Sequence, residues 1–111
     1  QVVCVIGDGA FQMSMNELAT IKDHSVPLKI LIIKNRYLGL VREYQDKTYE
    51  GHHSGVELFD YPHYDKIAEA YDMPYFHAGT TDELDKVLDG FLKCSEACLM
   101  VCDVDSKDNS K

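Results

Sequence analysis

The chain has 111 residues, of which 45% are hydrophobic and 27% charged, proportions typical of one globular domain with a packed core. Nineteen acidic against eleven basic residues give a formal net charge of −8, which disfavours nucleic acids and anionic membrane surfaces as partners. No apolar run approaches the length that crosses a bilayer, and we expect a cytoplasmic protein.

The first half of the chain predicts strand, helix, strand and helix. Val2 to Ile6 is an apolar run without alternation, which predicts an inner strand buried on both faces. Helix formers from Gln12 to His24 predict a helix that ends before Pro27. Leu28 to Ile33 predicts a second strand, and Tyr37 to about Tyr44 predicts a second helix.

The second half continues the alternation after a predicted loop from Thr48 to Tyr61. Apolar residues at helical spacing predict a helix from Tyr64 to Tyr71, and Pro74 to Ala78 predicts a short strand. Thr80 and Glu83 have the spacing of a capping box, which predicts the start of another amphipathic helix.

Ala97 to Val104 predicts the last strand. Strands that alternate with helices predict a three-layer α/β/α sandwich with a mostly parallel sheet. We expect one domain over residues 1–105, incomplete at its N-terminus, and a polar tail over residues 106–111. Since a protein seldom opens on its most buried strand, we expect the natural polypeptide to extend upstream of Gln1.

The chain has four cysteines, three of which recur near the C-terminus. Cys94, Cys98 and Cys102 have a spacing that fits no recurring zinc or disulfide framework, although a site with three thiolates is an alternative. Cys98 and Cys102 flank Met100 with period two, which favours thiols packed in the core.

Two segments at the carboxyl edge of the predicted sheet carry polar residues. GDGA (residues 7–10) follows the first strand, and KNRY (residues 34–37) follows the second. Right-handed crossovers bring these strand ends to one edge, where ligands bind in such sheets. Asp8 and Asn35 would then point into one crevice, and their oxygen atoms suit Mg²⁺ or Ca²⁺.

The backbone after Asp8 suits a phosphate. The amides of Gly9, Ala10 and Phe11 lie near the start of a predicted helix, where unpaired N–H groups and the helix dipole favour an anion. Glycine also permits close approach of the backbone to a ligand. The combination predicts a site for a metal-bridged diphosphate.

Two other interpretations of these motifs remain. Asp8 and Asn35 could be ordinary residues of tight turns, since Asp, Asn and Gly are common there. A dinucleotide fingerprint is a poorer match, because Gln12 stands where its third glycine belongs and Asn35 where an acidic residue would bind a ribose.

The motif pair resembles the metal and diphosphate motif of thiamine diphosphate enzymes, with GDG followed by Asn35 27 positions after Asp8. The segment from Gly7 to Gly51 is similar to the pyrophosphate-binding domain of acetolactate (acetohydroxyacid) synthase large subunits. The similarity continues through AEAYDMP to the last predicted strand. It covers nearly all of this chain but only a small C-terminal part of such an enzyme.

The resemblance implies roles for individual residues. Asp8 and Asn35 would bind Mg²⁺ through their side chains and Tyr37 through its main-chain carbonyl. The backbone after Gly7 would hold the diphosphate, and the residues after Tyr37 would line the thiazolium ring. The implied cofactor-binding set is Gly7, Asp8, Gly9, Ala10, Phe11, Asn35, Tyr37, Leu38, Gly39 and Leu40.

Three positions depart from the family pattern. Lys34 replaces the first residue of the usual Asn-Asn pair, and Leu40 stands where the synthases usually have Met. Tyr44 stands where many synthases have Trp in the substrate channel. The change at Tyr44 weakens the resemblance to acetolactate synthase in particular, but not the resemblance to thiamine diphosphate enzymes in general.

The implied activity is decarboxylation of pyruvate and carboligation to a second 2-oxo acid, as in branched-chain amino acid biosynthesis. In the family an activating glutamate belongs to a pyrimidine-binding domain of the same or a partner subunit of a homo-oligomer. We therefore assign no catalytic residue here and expect the chain alone to be inactive. One alternative is another thiamine diphosphate-dependent 2-oxo-acid decarboxylase or carboligase; from a different class, a non-catalytic Mg²⁺- and phosphate-binding module.

Overall fold

A computed structural model describes residues 1–106, whose four strands form a single parallel sheet. The strands are β1 (Val2–Gly7), β2 (Leu28–Lys34), β3 (Tyr75–Ala78) and β4 (Cys98–Asp103). Their order across the sheet is β1-β2-β4-β3, and all three neighbouring pairs are parallel.

Five helices connect these strands within the described residues. They are α1 (Asp8–Ser14), α2 (Glu17–Asp23), α3 (Gly39–Thr48), α4 (Tyr64–Ala70) and α5 (Thr81–Lys93). The largest part of the predicted tail, residues 107–111, lies outside the described residues. None of the helices in residues 1–106 has the length and apolar character needed to cross a membrane.

The direction of each crossover sets the face on which its helix lies. The steps from β1 to β2 and from β2 to β3 run the same way, so right-handed crossovers place α1, α2 and α4 on one face. The step from β3 back to β4 reverses direction and places α5 on the other face. The predicted three-layer α/β architecture is confirmed.

Each face of the sheet has its own hydrophobic cluster. The α1/α4 face buries Phe11, Leu18, Ile30, Ile32, Tyr64, Ala68, Met73, Ala97, Leu99 and Val101. The α5 face buries Ala78, Phe91, Cys98, Met100 and Cys102. Cys98 and Cys102 therefore pack in the core, as their period-two spacing predicts, and residues 1–106 contain no group of three His, Cys, Asp or Glu side chains arranged to hold a metal.

The prediction that Val2–Ile6 forms an inner strand is wrong. The strand β1 lies at the edge of the sheet, where Val2 is 65% and Val5 63% exposed. Its only strand neighbour among the described residues is β2, and α5 packs on β3 and β4 rather than on β1. The apolar run identified a strand correctly but carried no information on its position in the sheet.

The predicted helix from Gln12 to His24 is two short helices. The helix α1 begins earlier, at Asp8, and the chain turns at Met15 and Asn16 before α2 begins. Asn16 stands at the N-cap position of α2 with helical backbone angles, and its side chain donates to Glu17 Oε1 at 3.1 Å instead of capping the helix. The turn leaves Leu18 buried in the core.

The predicted helix begins at Thr81, but neither side-chain bond of the predicted capping box forms. Thr80 is the N-cap residue of α5, but its side chain makes no capping hydrogen bond. Glu83 instead accepts a hydrogen bond from the Gly79 N–H at 3.1 Å, one residue before the expected partner. The carboxylate thus satisfies the backbone just ahead of the helix.

Candidate functional site

Asp8 ties the carboxyl end of β1 to the loop after β2. The strand ends at Gly7, and Asp8 is the first residue of α1, where a carboxylate complements the helix dipole. Its side chain is 3% exposed. Oδ1 accepts the Gly9 N–H at 3.0 Å and Oδ2 accepts the Arg36 N–H at 2.8 Å, so the carboxylate lies against the peptide group that follows Asn35.

The loop after β2 folds back on itself at Asn35. The Asn35 Oδ1 accepts the Tyr37 N–H at 2.9 Å, the bond of an Asx turn. Arg36 has a φ of +63°, a left-handed conformation that is uncommon for a residue with a side chain. Nothing in the sequence indicates this conformation, and the Arg36 N–H bond to Asp8 stabilises it.

The backbone of Tyr37 faces the same side as Asn35. Tyr37 and Glu57 form an antiparallel bridge in which Leu38 N–H bonds Val56 O and Leu58 N–H bonds Arg36 O, each at 2.8 Å. In this pattern the paired residues direct their own N–H and C=O groups away from each other. Since the Tyr37 N–H bonds Asn35, the Tyr37 carbonyl also lies on the Asn35 side.

The Tyr37 side chain fixes this loop against α3. Its ring lies under the Arg42 guanidinium, with 4.5 Å between Cζ and the ring centroid, and its hydroxyl contacts Glu57 Oε1 at 3.2 Å. Arg42 also donates from Nη1 to the Ser106 carbonyl at 2.6 Å. Sequence reasoning missed Arg42, which has no motif of its own.

A cavity of about 500 Å³ opens between these elements. It is lined by Gly7, Asp8, Gly9, Ala10, Met13, Asn35, Tyr37, Leu38, Gly39, Leu40, Val41 and Glu43. This set contains nine of the ten residues predicted for the cofactor site, and it adds Met13, Val41 and Glu43, which sequence reasoning missed.

Phe11 is the predicted residue that the cavity lacks. Its ring is 3% exposed and packs 5.7 Å from the ring of Tyr64. With Gly7 as the N-cap, the Phe11 N–H is the group that closes the first helical turn, whereas the Gly9 N–H bonds Asp8 Oδ1 and the Ala10 N–H has no backbone partner within the helix.

Gly9 packs closely against the side chains of the loop after β2. A Cβ at this position would lie 2.5 Å from Leu38 Cδ2 and 3.2 Å from Leu58 Cδ1. The side chain of Leu38 therefore rests directly on the Gly9 backbone. By contrast, a Cβ at Gly7 would meet no atom within 4 Å.

The outer part of the cavity is apolar and open. Met13 is 77%, Leu40 79% and Val41 45% exposed. Tyr44, one turn further along α3, is also exposed. The polar floor at Asp8 and Asn35 thus meets an apolar rim.

The floor carries a buried negative charge without a cationic side chain. The ion pairs formed within residues 1–106 do not include Asp8. The pKa of Tyr64 is raised, first by burial and then by the nearby charge of Asp8. Lys34 is directed elsewhere, with Nζ 3.7 Å from Asp103 Oδ1 and 6.0 Å from the Tyr64 ring centroid.

The donor set fits a hard divalent cation. Each Asp8 oxygen accepts one backbone N–H and keeps a further lone pair, as does the Asn35 amide oxygen. Magnesium takes few protein ligands and completes its shell with water and phosphate oxygens. A carboxylate, an amide oxygen and a carbonyl are therefore sufficient.

The chain is similar to known proteins over most of its length. Residues 1–102 match the family of the thiamine pyrophosphate enzyme, C-terminal TPP binding domain. The chain is 39% identical over 87 residues to the acetolactate synthase large subunit of Haemophilus influenzae, covering 78% of this chain and 15% of that protein. It is 35% identical over 109 residues to the large subunit of Porphyra purpurea, covering 97% and 18%.

A third relative, the acetolactate synthase isozyme 2 large subunit of Escherichia coli, is 33% identical over 108 residues, covering 97% of this chain and 20% of that protein. The crystal structure of benzoylformate decarboxylase from Polynucleobacter necessarius has the same fold, with a TM-score of 0.85 at 19% identity over 98% of this chain and 20% of that one. The chain thus spans 15–20% of the length of these relatives. The resemblance to thiamine diphosphate (thiamine pyrophosphate, TPP) enzymes is confirmed, and the chain belongs to the family of their C-terminal TPP-binding domains.

Proposed function

We propose that this chain holds the diphosphate half of TPP, together with Mg²⁺, in an enzyme of the acetolactate synthase type. The observation that carries the proposal is the buried Asp8 carboxylate, which has no cationic side chain and lies beside the Asn35 turn at the floor of a cavity. Its two backbone N–H bonds leave further lone pairs on both oxygens, and a bound metal would compensate the remaining charge.

Each part of the floor has a role in this proposal. The side chains of Asp8 and Asn35 and the carbonyl of Tyr37 would bind Mg²⁺. The amides of Gly9 and Ala10 would donate to the diphosphate, since the first turn of α1 leaves both without a backbone partner; the Gly9 amide would do so beside its bond to Asp8 Oδ1. Phe11 has no contact with the cofactor in this proposal, because its ring lies in the core.

The apolar rim would orient the cofactor's ring. Leu38, Gly39 and Leu40 would line the thiazolium, and the side chains around it would exclude water from the diphosphate. When bound, TPP supplies the electron sink that decarboxylation of a 2-oxo acid requires. The chain itself binds and orients the cofactor, and none of its residues is assigned a catalytic role.

The proposal also includes the substrates and the partner domain of the longer enzyme. Acetolactate synthase relatives at 33–39% identity favour pyruvate as donor and a second 2-oxo acid as acceptor. The exposed rim of Met13, Leu40 and Val41 offers an apolar surface for a pyrimidine-binding domain of the same or a partner subunit in a homo-oligomer. Four free thiols are consistent with the cytoplasm.

A second candidate is a TPP-dependent 2-oxo-acid decarboxylase or carboligase with other substrates. Tyr44 favours this candidate, because many synthases have Trp at the matching position and the Tyr44 ring is 58% exposed near the cavity rim. A tyrosine there would present a polar hydroxyl to the substrate channel. The shared diphosphate site does not distinguish the two candidates.

A product assay separates the candidates. The polypeptide that carries this sequence, purified from its source at native length, is incubated with pyruvate, TPP and Mg²⁺. We expect acetolactate, and we expect the Asp8→Asn variant to form none. Release of free acetaldehyde instead would support a decarboxylase. Tight cofactor binding with no turnover of any 2-oxo acid would support a non-catalytic module.

A further inference from the structure

A second chemical cluster lies at the amino edge of the sheet, opposite the edge that holds the cavity. It consists of Lys29 near the start of β2, Cys98 at the start of β4 and Cys94 just after α5. Lys29 and Cys98 are paired residues of neighbouring strands. The proposed function uses none of these three side chains.

Cys94 and Cys98 both lie beside the Phe91 carbonyl. The Cys94 N–H donates to the Phe91 carbonyl at 3.3 Å, and the Cys98 thiol lies 3.8 Å from the same oxygen. The Cys94 side chain packs on the cluster that contains Cys98, and its thiol donates to the Glu96 carbonyl at 3.7 Å. Cys94 is half-buried, whereas Cys98 is fully buried.

A buried ammonium group lies next to this pair. Lys29 is 3% exposed, and its Nζ donates to the Cys94 carbonyl. Lys29 takes part in none of the ion pairs formed within residues 1–106. A cation beside a thiol stabilises the thiolate. The pKa of Cys98 is raised to about 12, chiefly by burial, and the charge of Lys29 opposes that rise.

We propose that Cys94 and Cys98 are an oxidative modification site, which a low-molecular-weight disulfide such as oxidised glutathione converts to an intrachain disulfide. Cys94 reacts first, because its sulfur is the more accessible of the two. Cys98 resolves the mixed disulfide, because its sulfur lies on the Phe91 carbonyl that also accepts the Cys94 N–H, and the Cys94 side chain packs on its cluster. In a reducing compartment such a bond is transient.

The exchange is balanced in two steps. The Cys94 sulfur attacks oxidised glutathione, the glutathione S–S bond breaks, and one reduced glutathione leaves with the Cys94 proton. The Cys98 sulfur then attacks the Cys94 sulfur, and its proton leaves with the second glutathione. Two protein thiols are oxidised to one disulfide, and one oxidised glutathione is reduced to two thiols.

The other cysteines lack this geometry. Cys102 lies four residues further along β4, about 13 Å from Cys98 at the rise of a strand, whereas a disulfide requires Cα atoms within about 7 Å. Cys4 lies on β1, and β2 separates that strand from β4. Both therefore serve as internal controls.

The test equilibrates the 111-residue chain in buffers of increasing oxidised-to-reduced glutathione ratio, and the remaining thiols are then alkylated. Cleavage after Glu96 separates Cys94 from Cys98 unless a disulfide joins them. We expect a mass loss of two hydrogens, a joined Cys94–Cys98 peptide pair, and full alkylation of Cys4 and Cys102. A Cys94 that keeps its glutathione, or four thiols that alkylate at every ratio, would overturn the proposal.

Cysteine variants test which thiol reacts first with oxidised glutathione and which one resolves the mixed disulfide. Cys98→Ala is expected to stop at the mixed disulfide on Cys94, and Cys94→Ser to form neither product. Cys102→Ala is the matched control for removing a buried thiol from β4 and is expected to form the disulfide as the unaltered chain does. Peptide mapping of the unaltered chain decides for or against the proposal even where a variant fails to fold.

Discussion

The strands β1 and β4 have similar sequences and opposite environments. Both are apolar runs without alternation, VVCVI and CLMVC. The residues of β4 from Cys98 to Val101 are at most 1% exposed, since β2, β3, α4 and α5 surround them. Val2 and Val5 of β1 are 65% and 63% exposed. An apolar run therefore predicts a strand, and the order of strands decides what covers it.

The two sides of the sheet also differ in what they contribute to the molecule. The β3–β4 side contributes the packed centre, whereas the β1–β2 side carries the cavity and its exposed rim. The candidate site thus lies where the described residues cover the sheet least. This placement suits a site that a further domain completes, as we propose for the pyrimidine-binding domain.

The largest effect expected on stability comes from a matched pair of valines. Val101→Ala in β4 removes two methyl groups from a position that is 1% exposed, and we expect it to lower the free energy of unfolding by about 2–3 kcal/mol. Val5→Ala in β1, at 63% exposed, should cost less than about 0.5 kcal/mol. Urea unfolding of both variants measures the difference, and equal losses would contradict the contrast between the strands.

A matched pair of glycines tests the cavity floor. Gly9→Ala would push its Cβ into Leu38, and we expect a loss of about 1–2 kcal/mol together with weaker TPP binding. Gly7→Ala has open space and serves as the control, with a smaller loss of stability. Thermal unfolding measures both. If Gly9→Ala matches Gly7→Ala, the contact with Leu38 does not determine the need for glycine.

The smallest effect is a change in stability at alkaline pH. Burial, then the charges of Asp65 and Asp103, raise the pKa of Tyr75 to about 12. An unfolded tyrosine ionises near pH 10, so the unfolded state gains stability relative to the folded one as pH rises from about 10 to 12. Tyr75→Phe should remove part of this decline in urea unfolding, and Tyr61→Phe at an exposed ring is the control. An unaltered decline in Tyr75→Phe would contradict the prediction.

Periodicity made the helices of the second half predictable. Tyr64 and Ala68 of α4 and Phe91 of α5 are buried at the spacing that one helical face requires. No such pattern marks the break between α1 and α2, where Met15 and Asn16 keep helical backbone angles and no side-chain cap forms. Burial in the core thus leaves a periodic pattern in the sequence, whereas this turn leaves none.

The site was predictable in its residues but not in its geometry. GDG and Asn35 identified the two strand ends, because polar residues after apolar strands are conspicuous. The left-handed conformation of Arg36 is stabilised by its N–H bond to Asp8, a residue 28 positions earlier in the chain. No local sequence pattern predicts such a contact. The packing of Phe11 in the core likewise follows from its contact with Tyr64, a residue distant in sequence.

The central claim is that Asp8 provides the charge for a metal-bridged diphosphate. Its most direct test is a calorimetric titration of TPP into the chain, with Mg²⁺ and with excess chelator, for the unaltered chain, Asp8→Asn and Asp82→Asn. Asp82 is the matched control, an exposed aspartate in the first turn of α5. We expect binding that requires Mg²⁺, a loss of affinity of about 100-fold or more in Asp8→Asn, and no change in Asp82→Asn. Equal affinity in all three proteins, or binding unaffected by the chelator, would contradict the claim.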